Sequence, residues 1–337
     1  MIRGVCIGVT FLLALGTAMA EANAAEVNNV AIATTIGLAQ FPGRLAKDLN
    51  LIEKRAATLG IPDLKVSLQE VTSGIVVSDL LLSGHAGVGI GGAVPMFNLW
   101  NKTNGRVKGM MAISEGDMFL MTCDPHIKSI RDYTDNDRIA MTDLRTTTYA
   151  MMLQMKAAEE FGWDERNRFD RISVAMSDPD GMGAILSCKT DVKSQMTILP
   201  QSTAELASGK ARVIFSSDEV LGHPYTFDAA FTTVEFKRDS PKVYEAVTGG
   251  LADAIKFIKE NPEKAADMYM KDEPYFGPRE MLIKLIKSET ADHFSYTDTP
   301  NSTEAFTDFM YKSGTFKNQP KSWKDVWFEN VWDLPGT

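Results

Sequence analysis

The chain has 337 residues, 44% of them hydrophobic and 23% charged, which is enough to bury one or two cores and too apolar for a disordered polymer. A formal net charge of −9 offers no basic face for counterion release or lipid attraction, and so excludes a general nucleic-acid or anionic-membrane binder. The histidines, His85, His126, His223 and His293, show no HxxxH or HxH spacing, and neither a metal nor a cofactor is expected.

At the amino end, Arg3 precedes an apolar stretch from Val5 to Leu15, followed by the small-residue patterns Ala18-Met19-Ala20 and Ala22-Asn23-Ala24. This is the pattern of a cleavable signal peptide over residues 1–24, with a mature chain beginning at Glu21 or Ala25. The apolar run is well short of the ~20 residues that span a bilayer. Export is therefore expected. Cys6 lies inside the discarded segment, leaving Cys123 and Cys188, which read as two isolated buried thiols with a disulfide as the alternative.

Beyond the signal, short β-branched runs alternate with amphipathic stretches, as in an α/β protein with mostly parallel strands. Strands are predicted at Asn29 to Thr34, Lys65 to Val71, Gly87 to Ile90, Val107 to Ile113, Arg138 to Met141, Arg171 to Met176, Ser194 to Leu199 and Arg212 to Ser216. Helices are predicted at Phe41 to Ala57, Ile75 to Ser83, Thr147 to Phe161 and Gly181 to Leu186, and the tail from Pro241 to Lys287 is strongly helical. Met151, Met152 and Met155 have the spacing of a packed helix face, and Trp323, Trp327 and Trp332 suit a staple for the tail. The segment Leu82 to Val88 is echoed by Leu186 to Val192, each ending a helix, turning and opening a strand; it reads either as a trace of two similar lobes or as coincidence.

Ligands of open α/β sheets bind beyond the carboxyl ends of the strands, so the residues that follow each strand are the candidates. After the first strand come Thr34 and Thr35, with the loop running on to Gln40. After the second, Ser73 is a natural N-cap and Gly74 opens a helix. After the third, Gly92 and Ala93 precede Pro95, which suits a first helical turn. Arg145 is the candidate charge partner for an anion, since its guanidinium can grip two oxygens at once; the alternative is a surface pair with Asp143. Thr146, Thr147 and Thr148 cap the next helix and can share its free amides with a ligand, and Thr197 follows a later strand end.

Enzyme motifs are missing. Ser83-Gly84-His85 and Asp117 form no G-x-S-x-G elbow, and the glycines from Gly87 to Gly92 lack both the dinucleotide spacing and a P-loop lysine.

Taken in order, Thr72-Ser73-Gly74 through Leu82-Ser83-Gly84 to Gly89-Ile90-Gly91-Gly92-Ala93, then Ile127 to Asp132, Arg138 to Met141, Leu153 to Gly162, His223-Pro224-Tyr225 with Phe231 to Thr233, and Glu260 to Ala266 resemble the substrate-binding proteins of nitrate/sulfonate/taurine-type ABC importers. The resemblance covers nearly the whole mature chain. It implies a type II periplasmic-binding-protein fold: α/β, with two lobes joined by crossovers near Glu115 to Cys123 and His223 to Thr232. Lobe one would comprise residues 25–118 and 224–337, and lobe two residues 119–223. It further implies a periplasmic monomer without enzymatic activity that captures a small anion (sulfonate, nitrate or carboxylate) and docks on an ABC permease in the inner membrane. Two departures stand out: His85-Ala86-Gly87 before the glycine-closed strand, and Thr146-Thr147-Thr148 in place of the family's Gly-Ser helix start. The lack of an acidic residue from Thr197 to Gln201, of the kind that would greet an amine, favours an acid or neutral solute over taurine. Other readings on this fold are a thiamin-pyrimidine-related enzyme or binding protein, and a sensor that docks on a receptor.

Overall fold

A computed structural model describes Met1 and residues 26–71, 73–142, 144, 147–272, 278–289 and 294–337. Strand β1 (Asn29–Thr35) leads through α1 (Phe41–Asp48) and α2 (Leu51–Thr58) to β2 (Lys65–Val71). Next, α3 (Gly74–Leu82) feeds β3 (Val88–Gly92), and α4 (Ala93–Lys102) feeds β4 (Val107–Gly116). The chain then passes through β5 (Phe119–Thr122), β6 (Ile139–Met141), α5 (Thr148–Phe161), β7 (Ser173–Ala175), α6 (Asp178–Ser187), β8 (Ser194–Thr197), α7 (Gln201–Ala207) and β9 (Arg212–Ser216). After α8 (Ser217–Leu221) it returns in β10 (Tyr225–Thr233) and α9 (Val234–Asp239). It closes with α10 (Pro241–Glu260), α11 (Pro262–Asp272), α12 (Arg279–Ile286), β11 (Ser295–Tyr296) and α13 (Thr303–Lys312).

The strands form two sheets, in the orders β11-β4-β10-β3-β1-β2 and β7-β6-β8-β5-β9. Most strands share one direction within their sheet, as expected, with β5, β10 and β11 reversed. β1 runs parallel to β2 and β3, and β6 to β7 and β8, but β10 is antiparallel to β3 and β4, and β5 to β8 and β9. The cause is the crossover. A chain leaving one sheet at its carboxyl end enters the other from that same end and runs against its neighbours.

The single helix expected over Phe41 to Ala57 is two, because Asn50 takes a left-handed conformation (φ 52°) that a short polar side chain tolerates. The two thiols are in fact one disulfide, Cys123–Cys188, with Cα atoms 6.0 Å apart. β5 carries Cys123 alongside the strand that follows α6, where the Cys123 N–H donates to Lys193 O at 3.0 Å, and Cys188 caps that helix.

Ile32, Val88, Ile90, Ala229, Ala230 and Phe231 fill the centre of the first sheet, and Met151 and Met152 lie in the core as their spacing suggests. Trp327 is fully buried against Gly109, where any side chain would collide with the indole, and its Nε1–H donates to Thr303 Oγ1 at 3.0 Å. The tail is thereby pinned across the first sheet. No helix among the described residues is long and apolar enough to cross a membrane.

Candidate functional site

Between the two sheets lies a cleft of about 1070 Å³, walled by the loops after β1, β2 and β3 on one side and by those after β6, β7 and β8 on the other. Helices α1, α3, α4, α5, α6 and α7 all begin on it. Ser73 Oγ accepts from Val76 N at the start of α3, Gly92 precedes α4, Thr147 Oγ1 accepts from Ala150 N at the start of α5, and Ser177 Oγ accepts from Asp180 N at the start of α6. The three side-chain caps each satisfy one amide of their first turn, and the remaining first-turn amides are without a helical partner. Aligned peptide dipoles add partial positive charge there.

Of the residues singled out in the sequence, Thr35, Ser73, Gly74, Gly92, Thr147 and Thr148 line this cleft. Thr34, Ala93 and Thr197 do not. Thr34 is buried within the first sheet and donates its hydroxyl to Thr35 O at 3.0 Å; Ala93 packs into the core behind Gly92. Thr197 is the last residue of β8, fully buried, and the cleft is reached by the residues after it, Ile198 to Gln201. Arg145 and Thr146 lie outside the described residues, as does Asp143.

The most informative lining residues were not singled out. Asp228 sits in β10 opposite Gly92 of β3 and lines the cleft beside it. On the β4 side the register shifts on both flanks of Asp228, between Thr226 and Asp228 and again before Ala229. This irregularity lets the consecutive residues Phe227 and Asp228 both reach the cleft, which a regular strand would forbid. Gln40 Nε2 donates to Asp228 Oδ2 at 2.6 Å, whereas the buried Oδ1 has no partner. Gly37 makes that contact feasible, because a Cβ there would stand 2.7 Å from Gln40 Oε1. Burial pushes the Asp228 carboxyl up to about 7, against a smaller downward pull from Gln40.

On the opposite wall, Asp178 opens α6 and accepts a hydrogen bond from the Tyr149 hydroxyl at 3.3 Å. Burial raises its pKa to about 6, with the Tyr149 contact opposing. The Tyr149 phenol is held well above its ordinary value, first by burial and then by the charges of Asp178, Tyr225 and Asp228. Behind them, Glu205 is fully buried and pushed up to about 8 by burial, with the charge of Asp178 adding to it. Among the described lining residues the charged side chains are Asp79, Asp178, Asp228 and Lys102. Ile36, Ile75 and Leu82 expose apolar surface at the mouth, and Leu99, Phe227 and Tyr269 extend an apolar wall inward.

No protein-family model matches the sequence, and no curated protein does. Solved structures are similar in fold. The periplasmic nitrate-binding protein NrtA from Synechocystis PCC 6803 superposes with a TM-score of 0.67 at 15% identity, over 92% of this chain and 88% of that one. The periplasmic aliphatic sulphonate binding protein SsuA from Escherichia coli gives 0.65 at 15% identity, over 90% and 93%. A Candida albicans gene product described as exhibiting the generic periplasmic binding protein fold gives 0.64 at 13%, over 87% and 92%. The chain has the periplasmic binding protein fold, as its resemblance implied. At such identities the likeness reaches the fold and stops there.

Proposed function

We propose that this chain is the solute-binding component of an ABC-type importer, exported by the signal of residues 1–24 and working in the periplasm as a monomer that docks on the permease. Two lobes, residues 25–118 with 224–337 and residues 119–223, close on a small solute held by Thr35, Ser73, Gly74, Gly92, Thr147 and Thr148, joined by Arg145 and Thr146. It binds without turnover. The observation that carries this reading is the cleft itself: about 1070 Å³ between two sheets, entered by helix starts from both walls. Neighbours in structure space with this fold are named as nitrate- and sulphonate-binding proteins, which supports the same role here. Closing needs only that the solute bind the closed state better than the open one.

An anionic solute was expected from Arg145, which lies outside the described residues. The described lining instead sets three carboxylates against one ammonium, so the solute is left here as a small organic molecule. The test is a thermal-shift and small-angle-scattering screen of the mature protein against amino acids, amines, carboxylates and sulfonates. At least one solute should raise the melting temperature and contract the particle; silence across the whole screen sinks the reading.

A further inference from the structure

We propose that the cleft takes an organic solute carrying a protonated nitrogen, an amine or amidine on an apolar body, with Asp228 as its charge partner and Asp178 facing it from the other wall. This deepens the solute-binding reading and rests on it. The first ground is an orphan acceptor. Asp228 keeps 1% of its surface exposed, lines the cleft, receives one hydrogen bond from Gln40 on Oδ2 and none on Oδ1. A buried acceptor without a partner is costly, and a carboxylate more so when ionised; an N–H⁺ donor from the solute removes both costs at once.

The second ground is sign. Asp228, Asp178 and Asp79 come from three different elements, β10, α6 and α3, and the described lining answers them with Lys102 alone, which lies at the far end of α4 and is exposed. Tyr149 already commits its hydroxyl to Asp178, so it leaves the Asp228 Oδ1 unanswered. The third ground is size and surface. An inorganic anion would leave most of about 1070 Å³ unfilled, whereas Ile36, Ile75, Leu82, Leu99 and Phe227 offer apolar contact for a hydrocarbon body.

The opposite use of Asp228 is as a protonated acid donating to a solute oxygen, and pH separates the two. The described titratable and charged groups that interact with it or line the same cleft are Tyr225 on its own strand, Tyr149 of α5, Asp178 of α6, Tyr269 of α11, Lys102 of α4 and Asp79 of α3. With Asp228 near 7, an amine that stays protonated throughout should bind about tenfold more tightly at about pH 8 than at about pH 6, following the ionised fraction. An acceptor solute should show the reverse.

The experiment is calorimetry and thermal shift on the mature protein with matched pairs: benzylamine and benzoate, phenethylamine and phenylacetate, benzamidine and benzenesulfonate. An amine or amidine should bind, its matched anion should not, the affinity should rise with pH, and Asp228→Asn should cost at least about thirtyfold with the circular-dichroism spectrum unchanged. If Asp228→Asn fails to fold, the pH profile of the wild-type protein decides alone. Binding of the anions without the amines overturns the inference and leaves solute binding standing. Silence of both sets, or an amine affinity that falls as pH rises, overturns it as well.

Discussion

The two sheets are filled by different chemistry. The centre of the first is a continuous apolar packing of Ile32, Val88, Ile90, Ala229, Ala230 and Phe231. The centre of the second mixes buried Leu120, Ile139, Met196 and Phe215 with a polar network: the Tyr133 hydroxyl donates to Ser194 Oγ at 2.8 Å, Ser194 Oγ donates to Thr122 Oγ1 at 2.9 Å, and Gln195 Nε2 donates to Glu205 Oε1 at 2.7 Å. Gln195 Oε1, Ser202 Oγ and Glu205 Oε2 are buried there without partners. Apolar burial is non-directional and tolerant, whereas a polar network holds only while every member keeps its geometry. The second half therefore depends on a covalent tie that the first does without.

Breaking that tie is the largest expected effect. The Cys123–Cys188 bond closes 65 residues, and loop-closure entropy at that length is worth about 4 kcal/mol. Urea unfolding of the mature protein with and without reductant should show the second half, residues 119–223, losing amide protection first when reduced, while the first half keeps its own. Equal unfolding midpoints in the two conditions would dissolve the contrast.

Next is Ile32→Ala, which opens a cavity in the fully buried centre of the first sheet and should cost about 3 kcal/mol. Its mark in hydrogen exchange should be confined to the first half. A loss spread evenly over both halves would mean that they fold as one unit.

Glu205→Gln should change how stability depends on pH, by up to about 1.4 kcal/mol per pH unit. The folded pKa of Glu205 is raised to about 8 by burial, so its contribution is fully present below the unfolded value and is lost as pH rises through about 8. The wild type should therefore fall behind the Gln variant between about pH 5 and about pH 9. The difference between the two proteins is the readout, because carboxylates with lowered pKa values, such as Asp124 and Asp239, slope the other way. Parallel pH curves would show that Glu205 is ionised in the fold.

The frame was legible in the sequence because strand-ending loops and helix caps are local patterns: β2 and β9 have the predicted bounds, and Ser73 and Thr147 cap the helices they should. What escaped depends on contacts between distant segments. Asp178 reads locally as an acid in a helix's first turn, and nothing nearby says that Tyr149 will cover it. Asp228 left a signal that could have been used, a lone carboxylate inside the apolar run from Tyr225 to Phe231. Its orphan oxygen depends on the irregular β10 register and on Gln40, 188 positions away. The disulfide escaped for the same reason: two cysteines 65 residues apart carry no pairing information until β5 and β8 lie side by side.

The smallest effect tests whether the two halves touch in a way that matters. Trp163, just after α5, meets Phe309 of α13 edge-on at 5.3 Å, so a residue of the middle segment packs on the carboxyl-terminal helix. The ring also takes Lys312 Nζ at 4.1 Å and the Arg166 guanidinium at 4.7 Å, which places cations from both halves on one indole. Such a pair with its cations is worth about 1 kcal/mol. Trp163 packs only at the edge of the core that Phe309 belongs to, so Trp163→Ala should lower the unfolding midpoint only slightly. It should instead release the halves from each other: small-angle scattering without solute should show a larger radius of gyration, and adding a bound solute should restore the compact value. A variant whose radius matches the wild type in both conditions would mean that the ring only decorates the rim, and that the halves are held at their spacing by β4, β5 and β10 alone.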